Sequence, residues 1–164
     1  MIPIRDTQRT HRQPYINWIL IFLNVLVFGF ELSLNDASLR SFIVKWGVIP
    51  GVITNPGRFS SEILLQTGGV TGILSSLFIH IGWVHLIGNM LYLFIFGDNV
   101  EDILGHGRYL LFYLVSGAVA SIAHIISDPA SLIPTVGASG AVAGVLGAYF
   151  INFPRSRVLA LIPI

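Results

Sequence analysis

Cysteine is missing altogether from the 164 residues, and charge is scarce: nine Lys or Arg and eight Asp or Glu, 10% of the chain. The first absence excludes disulfides, thiolate metal sites and a cysteine nucleophile. The second excludes an ordinary water-facing surface, which takes about 25% charged residues. A net charge of +1 leaves no basic footprint for a nucleic-acid partner. Also absent are an internal repeat and the H-E-x-x-H pair of an intramembrane zinc protease. Leu86 follows His85, and the residue four along is Asn89, a poor zinc ligand. Neither a metal nor another cofactor is therefore expected.

What is present is apolar. Hydrophobic residues make up 54% of the chain, and the mean hydropathy is strongly positive, which indicates a multi-pass membrane protein whose partner is the lipid bilayer. Apolar segments fall at 15–34, within 70–96, at 109–126 and at 138–153, against the ~20 residues a spanning helix needs. The run at 15–34 is long for a cleaved signal core and no A-x-A site follows it, so it reads as a retained helix. Residues 158–164, VLALIPI, read as the beginning of a fifth helix. The fold expected is an all-α membrane bundle, one domain over 1–164, with four complete transmembrane helices and the start of another.

The connection at 35–69 mixes Pro50, Pro56 and several glycines with apolar pairs. It is too polar to span and too apolar to float free, so a structured interfacial loop is expected. With alternating helices, Arg5, Arg9, Arg12, Arg108, Arg155 and Arg157 share one side, and Arg40, Lys45 and Arg58 the other. That bias puts residues 1–14 in the cytoplasm and Ser139 toward the outer face.

Ionisable and polar groups at membrane depth are costly and so mark function. The densest set lies in FIHIGWVHLIGNMLYLFIFGDNVED, residues 78–102. His85 and Asn89, four apart, share a helix face; His80, before Gly82, falls in the helix entry. The pair either hydrogen-bonds neighbouring helices as polar glue or aims two donors at a developing oxyanion. A second stretch, PTVGASGAVAGVLGAYF at 134–150, holds Ser139 among small residues. Gly140, Gly144, Ala143 and Gly147 suit close helix packing, which would make Ser139 one more small residue. Pro134 and Gly137 just before it equally suit a serine in the first turn of a helix, where free N–H groups stabilise an anion. Paired charges of a channel or transporter are lacking, and Glu31 lies near a helix end.

Together HIGWVHLIGN and GASG (Gly137 to Gly140) resemble the rhomboid family of intramembrane serine proteases. FGDNVEDILGHGRYLLFYLVSG (96–117), MIPIRD at the start and KWGVIP in the long loop are similar to that family as well, so the resemblance covers essentially the whole chain. It implies that Ser139 is the nucleophile, that His85 and Asn89 with the Ser139 N–H bind the oxyanion, and that His80, Gly137 and Gly140 support them. It further implies an endopeptidase acting on transmembrane protein substrates near the outer side of the bilayer. Residues 35–69 resemble the family's first loop, and Glu101 a structural pairing site. In that family the general base is a histidine on a sixth helix, so the 164 residues are expected to be an N-terminal portion with the base beyond Ile164. His124 reads as a polar residue near an interface, not as a substitute base. The alternative is a non-catalytic rhomboid-like module that binds transmembrane helices.

Overall fold

Pro14, which cannot extend a helix backwards, closes the polar N-terminal stretch, and the apolar run behind it forms α1 (Tyr15–Ser33). The computed structural model describes residues 2–161. Strand β1 (Ile2–Asp6) precedes α1, and the 35–69 connection folds into α2 (Asp36–Trp46), α3 (Pro50–Thr54) and α4 (Ser61–Gln66). Asn35 and Ser60 start α2 and α4 by accepting from the Ser38 and Ile63 N–H groups, 2.9 and 3.4 Å away. The connection thus carries three short α-helices.

The second apolar segment is bent. Short turns at Gly72–Ser75 (α5) and Ser76–Phe78 break at residues 79–82, and α6 (Trp83–Tyr92) sets off at a new angle. It continues through a π-helical stretch, Leu93–Gly97, into α7 (Asp98–Leu104), and the two arms, Ser61–Phe78 and Trp83–Leu104, differ by 73°. Gly82, with φ of +91°, makes the bend. A second glycine, Gly105 at φ +77°, turns the chain from α7 into α8 (His106–Ser127). The last helix is α9 (Ser139–Asn152).

By length and composition α1 and α8 are able to cross a membrane, and the bent pair passes the same test only when its two arms are taken together. Helix α9, with 14 residues, rises only about 21 Å, short of a ~30 Å hydrocarbon core. Four full spans are therefore not what the described residues show. Nor is the fold purely helical. Residues expected to begin a fifth helix form strand β2 (Val158–Leu161) instead, antiparallel to β1 with Arg5 opposite Leu159 and Asp6 opposite Val158. Residues 162–164 of that expected helix lie outside the described residues. Pro154 follows α9 closely and blocks its continuation, and β1 offers the edge with which residues 158–161 pair.

The interior is built where α1, α6–α7, α8 and α9 meet, around the fully buried Tyr109, Tyr113, Tyr149, Leu93, Ala141 and Val145. Large apolar side chains also face outward in number, among them Phe22, Val84, Ile87, Leu111, Val119 and Ile151. That is the surface of a multi-pass membrane protein, covered by lipid. Glu101 ties the N-terminal end together. Its carboxylate accepts from the Ile16 and Asn17 N–H groups at 3.0 and 2.7 Å, capping α1, and it contacts His106 at 2.5 Å. Tyr149 donates to Asp6 at 2.6 Å, so β1, β2 and the end of α9 gather at one pole. Ser139, at the start of α9, lies at the opposite pole.

Candidate active site

Residues 129–138 descend into α9 under restraint from the long connection and from the bend. Val48 and Thr135 form an isolated antiparallel bridge, and the Gly51 N–H donates to the Ser131 carbonyl at 2.8 Å. Closer to the helix, the Gly137 N–H donates to the Ser76 carbonyl at 2.8 Å. The Ala138 N–H points at His80 Nε2 at 3.5 Å, a long contact. Ser139 then opens α9 with its side chain exposed. Its N–H is among the four that a helix start leaves without an intrahelical partner.

Gly137 is where the bend meets this loop. Its φ is +122°, a conformation that only glycine adopts without strain. A Cβ built on it would fall on the His85 imidazole, 2.7 Å from Nε2, so the ring lies directly against the glycine. His85 is half-buried; His80 is fully buried, and the two rings meet edge to face with centroids 5.1 Å apart. Asn89, one turn beyond His85, is buried, and its amide nitrogen has no hydrogen-bond partner among the described residues. An unpaired buried amide is costly; Asn24 Oδ1, His80 Nδ1 and the Tyr113 hydroxyl are buried without a partner in the same way.

A cavity of about 210 Å³ adjoins Ser139, lined also by Leu77, Gly117, Ser121, His124 and Gly137. His85 and Asn89 do not line it; His85 meets the Ser139 stretch at Gly137, which does. His124, read from sequence as an interfacial polar residue, shares the cavity wall with Ser139. The signal that could have found it is helical spacing: Ser116, Ala120 and His124 follow one another every four residues along one face of α8.

Of the glycines whose spacing suited close helix packing, Gly140 makes such a contact: a Cβ there would strike the Ala120 Cβ, so it seats α9 against α8. Gly144 does the same against Ser116, whereas Gly147 faces open space and allows no close approach. Glu31, which the sequence places near a helix end, is buried at the far end of α1, and its carboxylate accepts from the His80 N–H at 3.2 Å.

Comparison with known proteins follows the same residues. A family model described as the Rhomboid domain matches residues 67–164. The chain is 34% identical over 137 residues to "Rhomboid protease GluP" of Bacillus subtilis (strain 168), covering 83% of this chain and 24% of that protein. "Putative rhomboid protease YdcA" of the same bacterium is 35% identical over 77 residues, 47% of this chain and 38% of its own length. "Rhomboid protein 1, mitochondrial" of Saccharomyces cerevisiae (strain ATCC 204508 / S288c) is 34% identical over 107 residues, 61% of this chain and 31% of its own. The chain thus spans between 24% and 38% of these relatives' lengths. No solved structure matches at a significant level.

Proposed function

The chain belongs to the rhomboid family, and from that premise we propose that it carries the nucleophile of an intramembrane serine endopeptidase that cuts transmembrane segments of other proteins. The observation that carries this reading is the seat of His85 against Gly137, two residues before a serine that opens a helix beside a cavity. A packing serine needs no imidazole held against a glycine of φ +122°.

On this reading the Ser139 Oγ attacks the scissile carbonyl, and negative charge develops on the carbonyl oxygen. The Ser139 N–H, the His85 ring and the Asn89 amide donate to it. The helix start adds the positive end of its dipole. His80 supports the site by receiving the Ala138 N–H. A serine hydroxyl is a weak nucleophile without a base; by the family resemblance the base is a histidine on a later helix, outside the 164 residues. The N-terminal pole, with Arg5, Arg9, Arg12, Arg155 and Arg157, faces the cytoplasm. A single cysteine at Thr7 should then resist an impermeant maleimide in intact cells, and labelling there would reverse the orientation.

The test is cleavage of a single-pass substrate by the full-length protein in liposomes, with fluorophosphonate labelling alongside. Ser139→Ala should abolish both, and cutting at the wild-type rate would refute the nucleophile. Absence of cleavage and labelling in the wild type would favour the helix-binding module. Labelling of Ser139 that survives His85→Ala and is lost in His124→Ala would make His124 the base.

A further inference from the structure

Helix α1 buries Asn17, Leu20, Asn24, Phe28 and Glu31, a single stripe along one face. Its polar members recur every seven residues. Asn17 donates to the Leu93 carbonyl and accepts from the Tyr109 hydroxyl, and Asn24 turns back onto the Leu20 carbonyl of its own helix. Glu31, 4% exposed, reaches across to the second span, where its Oε1 accepts from the His80 N–H at 3.2 Å.

That N–H belongs to the short break that bends the second span. One turn earlier on α1, Phe28 packs edge-on against Trp83 with ring centroids 5.0 Å apart. The end of α1 therefore grips the bend on both sides of Gly82. From His80 the contacts continue, to the Ala138 N–H through Nε2 and to the His85 ring, which in turn lies on Gly137. A side chain needed only to fill this space would be apolar, because a carboxyl group there is costly to bury.

We propose that Glu31 is a positioning residue for the Ser139 site: by holding the His80 N–H it fixes the His80 ring against Ala138 and the His85 ring over Gly137. The inference rests on the reading of Ser139 as nucleophile. What Glu31 supplies is an acceptor oxygen at a set reach, which glutamine also supplies, which leucine lacks and which aspartate withdraws by one methylene. Misplacing catalytic groups by about 1 Å costs up to about a hundredfold in rate, and the loss should fall on kcat because the substrate itself is not touched.

The experiment measures kcat and KM separately for cleavage of a single-pass substrate by the full-length protein in liposomes. Glu31→Gln should keep kcat within about twofold of wild type, and Glu31→Leu should lower it about tenfold or more at unchanged KM. Wild-type kcat in Glu31→Leu, or an equal loss in the Gln and Leu variants, overturns the proposal. If Glu31→Leu does not fold, Glu31→Asp decides: a fall in kcat supports the positioning role and an unchanged kcat overturns it. Ser139→Ala runs alongside. If it still cuts, the nucleophile reading fails and this one with it; if it is inactive while Glu31→Leu is not, only the role of Glu31 fails.

Discussion

Replacing Gly137 with alanine tests the arrangement in front of Ser139 with a single methyl group. The backbone there has φ of +122°, and holding a non-glycine residue in so sparsely populated a region costs about 1–3 kcal/mol. The new Cβ would also sit 2.7 Å from His85 Nε2, inside the volume of the ring, and overpacking of this kind costs about 1–3 kcal/mol more. The sum, roughly 2–6 kcal/mol, is too large to absorb in place, so the ring swings off or the 135–138 loop unbends. Either movement removes His85 from the oxygen that Ser139 would generate. Loss of one oxyanion donor lowers rates about 10²–10³-fold. Fluorophosphonate labelling and substrate cleavage should therefore both fall by about a hundredfold in the folded protein. Labelling of Gly137→Ala at the wild-type rate would show that His85 does not rest on Gly137, and the oxyanion reading would go with it.

Three further substitutions read the packing. Gly144→Ala drives a methyl group into Ser116 and should cost about 1–3 kcal/mol, whereas Gly147→Ala meets nothing within 4 Å and should gain about 0.5–1 kcal/mol of helix stability; unfolding midpoints in detergent that move the same way for both would refute the assigned faces. Glu101→Ala leaves the Ile16 and Asn17 N–H groups without their acceptor, at a cost of about 3 kcal/mol or more for hydrogen bonds to a charged group; the same midpoint measurement checks it, and an unchanged value would mean that α1 is not capped from α7.

Length and apolarity were enough to read α1 and α8 from sequence, because a membrane helix satisfies its backbone internally and declares itself by composition. The same criterion blurred the second span. An apolar window over 70–96 averages across the break before Trp83, and only Gly82, whose positive φ the residue type permits but does not announce, marks the 73° bend. It misread residues 158–161 outright, since Val-Leu-Ala-Leu is as apolar as a helix start. What makes them a strand is β1, more than 150 positions earlier in the chain, and no local pattern carries that. His85 and Asn89 share a face as their spacing required, but that Gly137 lies under the ring is a tertiary fact. The seven-residue spacing of Asn17, Asn24 and Glu31 was legible and would have marked the buried stripe of α1.

The rival readings of Ser139, packing residue and chemical group, separate along the seam between α8 and α9. Gly144 closes on Ser116 and Gly140 on Ala120, each step one helical turn nearer the Ser139 pole. Continued by one more turn, α8 presents His124 while α9 has come to its first residue, and the seam opens into the cavity that both line. Ser139 itself is exposed rather than clamped. The small residues bring the two helices together up to Gly140 and leave a space beyond it, so the packing motif sets where the cavity begins. A serine placed one position inside the glycine would have been buried in the seam, and one placed before Gly137 would have lost the helix start. Position 139 lies both at the helix N-terminus and at the mouth of the opening.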